Sequence, residues 1–346
     1  MHVIPNATIK KYNKSEDVKD NDMVSSDMEL SVIRNHRLSQ LEEEDDADFY
    51  LNYHPPGPVG CEGVAHDFHI PIWMPMTFRP IEAIDLSNFC AYIAAYIFKP
   101  DPKDLFGDEV LIQSTTNVVG DRKALKLLMP RCHLDEKIIN LVVARQNWLM
   151  STIGKTRSIW YMPTDFARYA LEEHKDADHV RELYQVDYMT ARPVVSRMFI
   201  PMTDQGNHWY LLVVDFIRRT LIWLDSLNCP AIFLEEILMH ESFSEDLTPF
   251  CPERIISNFA VHQPKYIDQQ RSESNDSGVW VSKWMIECSY RIDWPNVRAN
   301  TASRMRLAIN LVKSGNNVLK EDVLAKADQN WKDVAKKVDP LSFLTN

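Results

Sequence analysis

The chain has 346 residues, 45% of them hydrophobic and 25% charged, enough apolar material for a substantial core and too much for a wholly disordered polymer. A formal net charge of −11 gives the long-range field the wrong sign for non-specific nucleic-acid binding. Six scattered cysteines, Cys61, Cys90, Cys132, Cys229, Cys251 and Cys288, and a polar start without a secretory signal point to free thiols in a reducing compartment.

In chain order, residues 1–60 read as a disordered tail or linker: polar from Lys10, acidic in LEEEDDADF, then turn-rich at HPPGPVG. Residues 61–104 read as an N-terminal extension, with extended chain at IPIWMPMTFRP and a short helix or buried strand at SNFCAYIAAYIF. That apolar run is too short for a bilayer, which needs roughly 20 residues. Cys61, His66 and His69 match no standard zinc spacing and lack a fourth ligand, so no metal is expected.

A regular region follows over 105–330, with 331–346 read as a C-terminal tail. LDEKIINLVVARQNWLM at 134–150 places Ile138, Leu141, Val142, Arg145 and Leu149 at helical spacing, with Asp135 and Glu136 suited to the positive end of the helix dipole. VSRMFIPMT reads as a strand, and HWYLLVVDFIRRTLIWLDSL reads as a hairpin turning at 217–219. CPAIFLEEILMHE, the stretch from Ser277 to Tyr290 and TASRMRLAINLVKS read as helices.

The hairpin puts the start of its first strand beside the end of its second, so His208 and Asp225 are expected as neighbours, a base and its orienting carboxylate. A helix opening at Ser277 would bring backbone N–H groups and a positive dipole end to the same place. Such a setting lowers a thiol's pKa from ~8.5 to ~3.5–7.5, but residue 277 is a serine. Taken singly, each feature has an ordinary explanation: a packed histidine, a turn at Asp225-Ser226, and a helix N-cap at Ser277.

Together, in this order, they resemble the ubiquitin-like-protein-specific (SUMO/sentrin-specific) cysteine proteases, in the type associated with plant transposable elements. The matching stretches are IPMTDQGNHWYLLVVDFIRRTLIWLDSL, where the family has His-Trp opening one strand and Asp-Ser ending the next, and QQRSESNDSGVWVSKWM, where it has Gln and then Asp-Cys-Gly. LMPRCHLDEKIIN is similar to the first helix of the family's domain, and IWYMPTDFARYAL to its next strand and helix. The resemblance implies an α+β papain-like fold, a mostly antiparallel central sheet flanked by helices.

It also implies roles: His208 as general base, Asp225 orienting it, Ser277 in the nucleophile's place, and Gln270, with Gln269 second, as oxyanion donor. A correctly placed amide supplies ~2.7–4 kcal/mol to the barrier. Trp209 is expected to cover the channel for a substrate's Gly-Gly tail, with His133 and Glu136 on the substrate side. His133 departs from the family, which has a Trp there. The implied function is processing or deconjugation of SUMO or another ubiquitin-like modifier, without a cofactor, in the nucleus or cytoplasm. With Ser277 in place of the cysteine, loss of turnover is expected. A modifier-binding pseudoprotease is the alternative, and an acyltransferase of the same clan the weaker one.

Overall fold

The computed structural model of the chain describes residues 70–82, 84, 86–103, 105–153, 158–170, 177–189, 195–203, 208–228, 259–264, 269–271, 274–288 and 299–338, all in the compact unit Gly63–Asn346. The acidic run, the Cys61/His66/His69 group and the helix expected at CPAIFLEEILMHE lie outside the described residues.

A five-stranded sheet organises the chain. Its order is β3 (Ser158–Tyr161), β4 (Val195–Thr203), β5 (Trp209–Asp215), β6 (Thr220–Leu224) and β7 (Ala260–His262). The two central pairings, β4 with β5 and β5 with β6, are antiparallel, whereas both edge strands run parallel to their neighbours. The sheet is therefore antiparallel at its centre, as expected, with parallel pairing at its two edges. Parallel neighbours need a crossover, and between β3 and β4 it contains α4 (Phe166–Ala170) and α5 (Ala177–Tyr184). A separate hairpin pairs β1 (Val110–Gln113) with β2 (Val119–Asp121).

The strands read as near-continuous apolar runs because both faces of the sheet are covered. Phe199, Trp209, Leu211, Val213, Ile222 and Leu224 face the larger core, and Met198, Ile200, Leu212, Val214, Leu221 and Trp223 face the smaller one. The larger core is closed by α1 (Asn88–Ile97), α3 (Glu136–Ile153), α6 (Ser277–Glu287), α7 (Thr301–Lys313) and α8 (Lys320–Lys337). The smaller lies under α4 and α5.

Local signals account for where the helices start. Ser87 accepts from Cys90 N at 3.4 Å ahead of α1, Asp121 from Ala124 N at 2.7 Å ahead of α2 (Arg122–Lys126), and Asn300 from Ser303 N at 2.8 Å ahead of α7. Asn147 of α3 closes the backbone of β3, donating to Tyr161 O at 2.8 Å and accepting from Tyr161 N at 3.1 Å.

Two stretches outside the expected 105–330 region pack on its core. The segment read as an N-terminal extension supplies α1, whose Ile93, Ala94, Tyr96 and Ile97 belong to the larger core. The tail expected from residue 331 begins inside α8, where Trp331 meets Tyr92 at a centroid distance of 4.5 Å and Trp73 at 5.8 Å. The physical reason is a narrow apolar stripe, Val323, Ala327 and Trp331, four residues apart on an otherwise charged helix.

Arg122 is fully buried beneath α1. It donates to Tyr96 O, to Ile97 O at 2.8 Å and to Glu109 Oε2 at 2.6 Å, so the last carbonyls of α1 and one carboxylate share a single guanidinium. Tyr96 Oη donates to the other oxygen of Glu109 at 2.6 Å. No described helix is long and apolar enough to cross a membrane.

Candidate active site

Register brings the site together. Leu211 stands opposite Leu224 and Asp215 opposite Thr220, so the segments just outside these pairs emerge at one end of the sheet. The tight turn at 216–219 is held by Arg218 N donating to Asp215 Oδ1 at 2.9 Å, and Arg219 takes φ 53°. At the open end His208 Nε2 lies 2.6 Å from Asp225 Oδ1. Asp225 is buried, its side chain 2% exposed, and the same oxygen accepts from Leu227 N at 2.9 Å.

A buried carboxylate accepts only, so the imidazole donates through Nε2 and Nδ1 becomes the basic nitrogen. That is the tautomer a general base needs. Tyr210 lies 6.5 Å from the His208 ring and 4.4 Å from Trp223 between ring centroids.

Helix α6 enters beside the pair. Ser277 is its first residue and is buried, and its Oγ accepts from Trp209 N at 3.1 Å, the residue after His208. The N-cap position belongs to Asp276, not to Ser277 as its sequence context suggests, and Asp276 makes no side-chain cap bond. Trp209 is buried, and its indole donates to Leu134 O at 2.8 Å, joining the loop before α3 to the same point.

Leu134 also presses on the helix start. A Cβ at Gly278 would lie 2.8 Å from Leu134 Cβ, so the residue after Ser277 must be small. Gly278→Ala is expected to lower stability by about 1 kcal/mol, because overpacking costs about 1–3 and the helix gains about 1 from alanine. An unchanged urea midpoint would refute this close approach.

Gln270 is half-buried and bound on three sides. Its N–H donates to Ser226 O at 2.9 Å, its Oε1 accepts from Ser226 Oγ at 3.0 Å and its Nε2 donates to Ser274 O at 3.3 Å. It thereby links the residue after Asp225 to the turn that precedes Ser277. Gln269 is exposed. His133 and Glu136 are exposed on either side of Leu134, and Asp135 caps α3 by accepting from Ile138 N at 3.3 Å.

No local sequence pattern marks Arg304 as part of the site. It is buried on α7 and donates to Asp276 Oδ1 at 2.7 Å and to Asn275 O at 2.6 Å, both in the turn before Ser277. A lone arginine among the buried positions Ala302, Met305 and Ala308 was the available signal. Arg197, also buried, pairs with Asp215 at 3.1 Å and donates to Cys288 O at 3.3 Å, holding the other end of α6.

Residues 133–291 match the Ulp1 protease family, C-terminal catalytic domain. The chain has the Ulp1-like protease fold. Similar solved structures include a SUMO protease Ulp1 with its catalytic cysteine oxidised to a sulfinic acid (19% identity, 69% of this chain and 97% of that one, TM-score 0.51). The C-terminal Ulp1 protease domain in complex with Smt3, the yeast orthologue of SUMO, gives 18% identity over 69% of this chain and 97% of that one, with a TM-score of 0.51. The Ulp1-like SUMO protease catalytic domain of Chaetomium thermophilum gives 14% identity over 73% and 97%, also at 0.51. No curated protein matches the chain.

The segment matched to the Ulp1 family includes His208, Trp209, Asp225, Gln270 and Ser277, and it ends before α7. No cluster of three or more metal-ligating side chains occurs among the described residues. Cys90, Cys132 and Cys288 are free thiols.

Proposed function

We propose that this domain recognises SUMO or another ubiquitin-like modifier through a Ulp1-type protease site whose thiol position is held by Ser277. In this reading His208 is the base, Asp225 orients it and Gln270 is the oxyanion donor. Trp209 lines the path of the modifier's tail, flanked by His133 and Glu136. The observation that carries it is the 2.6 Å His208–Asp225 pair one residue away from the backbone N–H that holds Ser277 Oγ. The family match over 133–291 and the likeness to a Ulp1 domain in complex with Smt3 support a modifier as partner.

A serine hydroxyl is far less acidic than a thiol, and a site suited to a thiolate and an imidazolium does not activate it. Turnover as written is therefore negligible, although binding and oxyanion contacts sustain up to ~10³–10⁴ over water in disabled triads.

The test is covalent capture. The protein and its Ser277→Cys variant are incubated with modifiers carrying a C-terminal electrophile, and adducts are read by intact mass. Capture by the cysteine form alone supports a protease scaffold and identifies the modifier. Absence of reaction in both folded forms favours a second reading, a modifier-binding protein without proteolysis. The bond from Trp209 N to Ser277 Oγ is the observation on its side, because it gives the serine a structural use.

A further inference from the structure

The turn that delivers residue 277 carries a negative charge in an unusual arrangement. Asp276 occupies the N-cap of α6, where a carboxylate ordinarily bonds to the exposed N–H groups of the first turn. Here it caps nothing: its backbone is helical (φ −94°, ψ −2°) instead of extended, and Arg304 holds its Oδ1 at 2.7 Å. The same guanidinium donates to Asn275 O at 2.6 Å, Met129 O at 3.1 Å and Leu127 O at 3.3 Å. Asn275 in turn donates to Arg131 O at 2.6 Å. Arg304 is 1% exposed, so its charge acts with little screening by water.

We propose that Arg304 is a positioning residue of the site: it holds and neutralises the Asp276 carboxylate beside the start of α6, so that the positive helix end acts on residue 277. The inference rests on residue 277 being the nucleophile position. Without Arg304, the Asp276 carboxylate is an uncompensated negative charge beside residue 277. That charge disfavours a thiolate there.

Among the described residues, the other charged groups on the elements meeting this helix end include Arg271 in the turn, His208 and Asp225 from the sheet, and Arg131, His133, Asp135 and Glu136 around the start of α3. None of them changes in the test.

The experiment uses the full chain with Ser277→Cys. The rate of iodoacetamide labelling at residue 277 is followed against pH by peptide mass spectrometry, which separates this thiol from the other six. Adding Arg304→Met is expected to raise the midpoint by about 1 pH unit, the low end of the effect of one neighbouring charge. Asp276→Asn alone is expected to lower it, and the double substitution to return it towards the parent. Arg304→Lys keeps the charge and is expected to hold the midpoint.

A purely structural arginine would change labelling without these opposed shifts. An unchanged midpoint in Arg304→Met, or a rise that Asp276→Asn does not relieve, overturns the proposal. If Arg304→Met does not fold, Asp276→Asn decides, and a midpoint that stays or rises overturns it. An ordinary thiol midpoint in the parent itself overturns the nucleophile reading and this inference with it.

Discussion

In the Ser277→Cys protein, Asp225→Ala is expected to slow capture by a modifier electrophile by about 10²- to 10⁴-fold, the range that general acid–base assistance supplies. Asp225 is buried and accepts from both His208 and Leu227 N, so its loss frees the imidazole to rotate and to change tautomer. Asp225→Asn separates orientation from charge. Its amide oxygen still accepts from Leu227 N and His208 Nε2, which share one Asp225 oxygen, but the negative charge that stabilises the imidazolium is gone. Both variants should therefore be slow while Asp225→Asn remains close to the parent in thermal stability. A capture rate within a few-fold of the parent in Asp225→Asn would remove Asp225 from the machinery.

The second large effect concerns stability, away from the site. Glu109→Ala leaves the fully buried Arg122 with two carbonyls and no counter-charge. We expect a loss of about 3 kcal/mol, the lower end of the range for breaking a buried ion pair, since Glu109 keeps 21% of its side chain in water. Burial raises the Glu109 pKa, but hydrogen bonds from Arg122 and Tyr96 and the charges of Arg122 and Lys99 outweigh it and hold the carboxyl below its ordinary value.

The sign of the pH dependence follows. A depressed folded-state pKa contributes stability that is fully present above the unfolded-state value, roughly 4.3, and lost as pH falls through the folded value. The gap between parent and Glu109→Ala in chemical denaturation should be constant near neutrality and narrow below that region. A gap that widens on acidification would refute the account.

Much of the site could be read from the sequence because its chemistry sits at the ends of well-marked elements. The hairpin from Trp209 to Leu224 combines two apolar runs with a charged turn, and its pairing alone brings His208 to Asp225. Helix α3 showed its apolar face by periodicity. Nothing local separates Gln270 from Gln269, since adjacent identical residues carry the same pattern and only the fold leaves one half-buried and the other exposed.

Arg304 was hidden for a different reason. Its partners, Asp276 and the carbonyls of Asn275, Leu127 and Met129, are 28 to 177 residues away, beyond any local pattern. The parallel edges of the sheet were also illegible, because periodicity distinguishes strand from helix and says nothing of direction. The expected tail at 331 failed on weighting: eighteen mostly polar residues from Lys320 to Lys337 obscure a stripe of three.

Helix α6 is fastened at its two ends by Arg304 and Arg197, and by Leu134 against Gly278, with residue 277 contributing a single acceptor to Trp209 N. Serine and cysteine are close in size, so the chain matures to the same shape with either. Exchange at residue 277 would then alter the reactive atom while leaving the apolar surfaces that hold α6 in place.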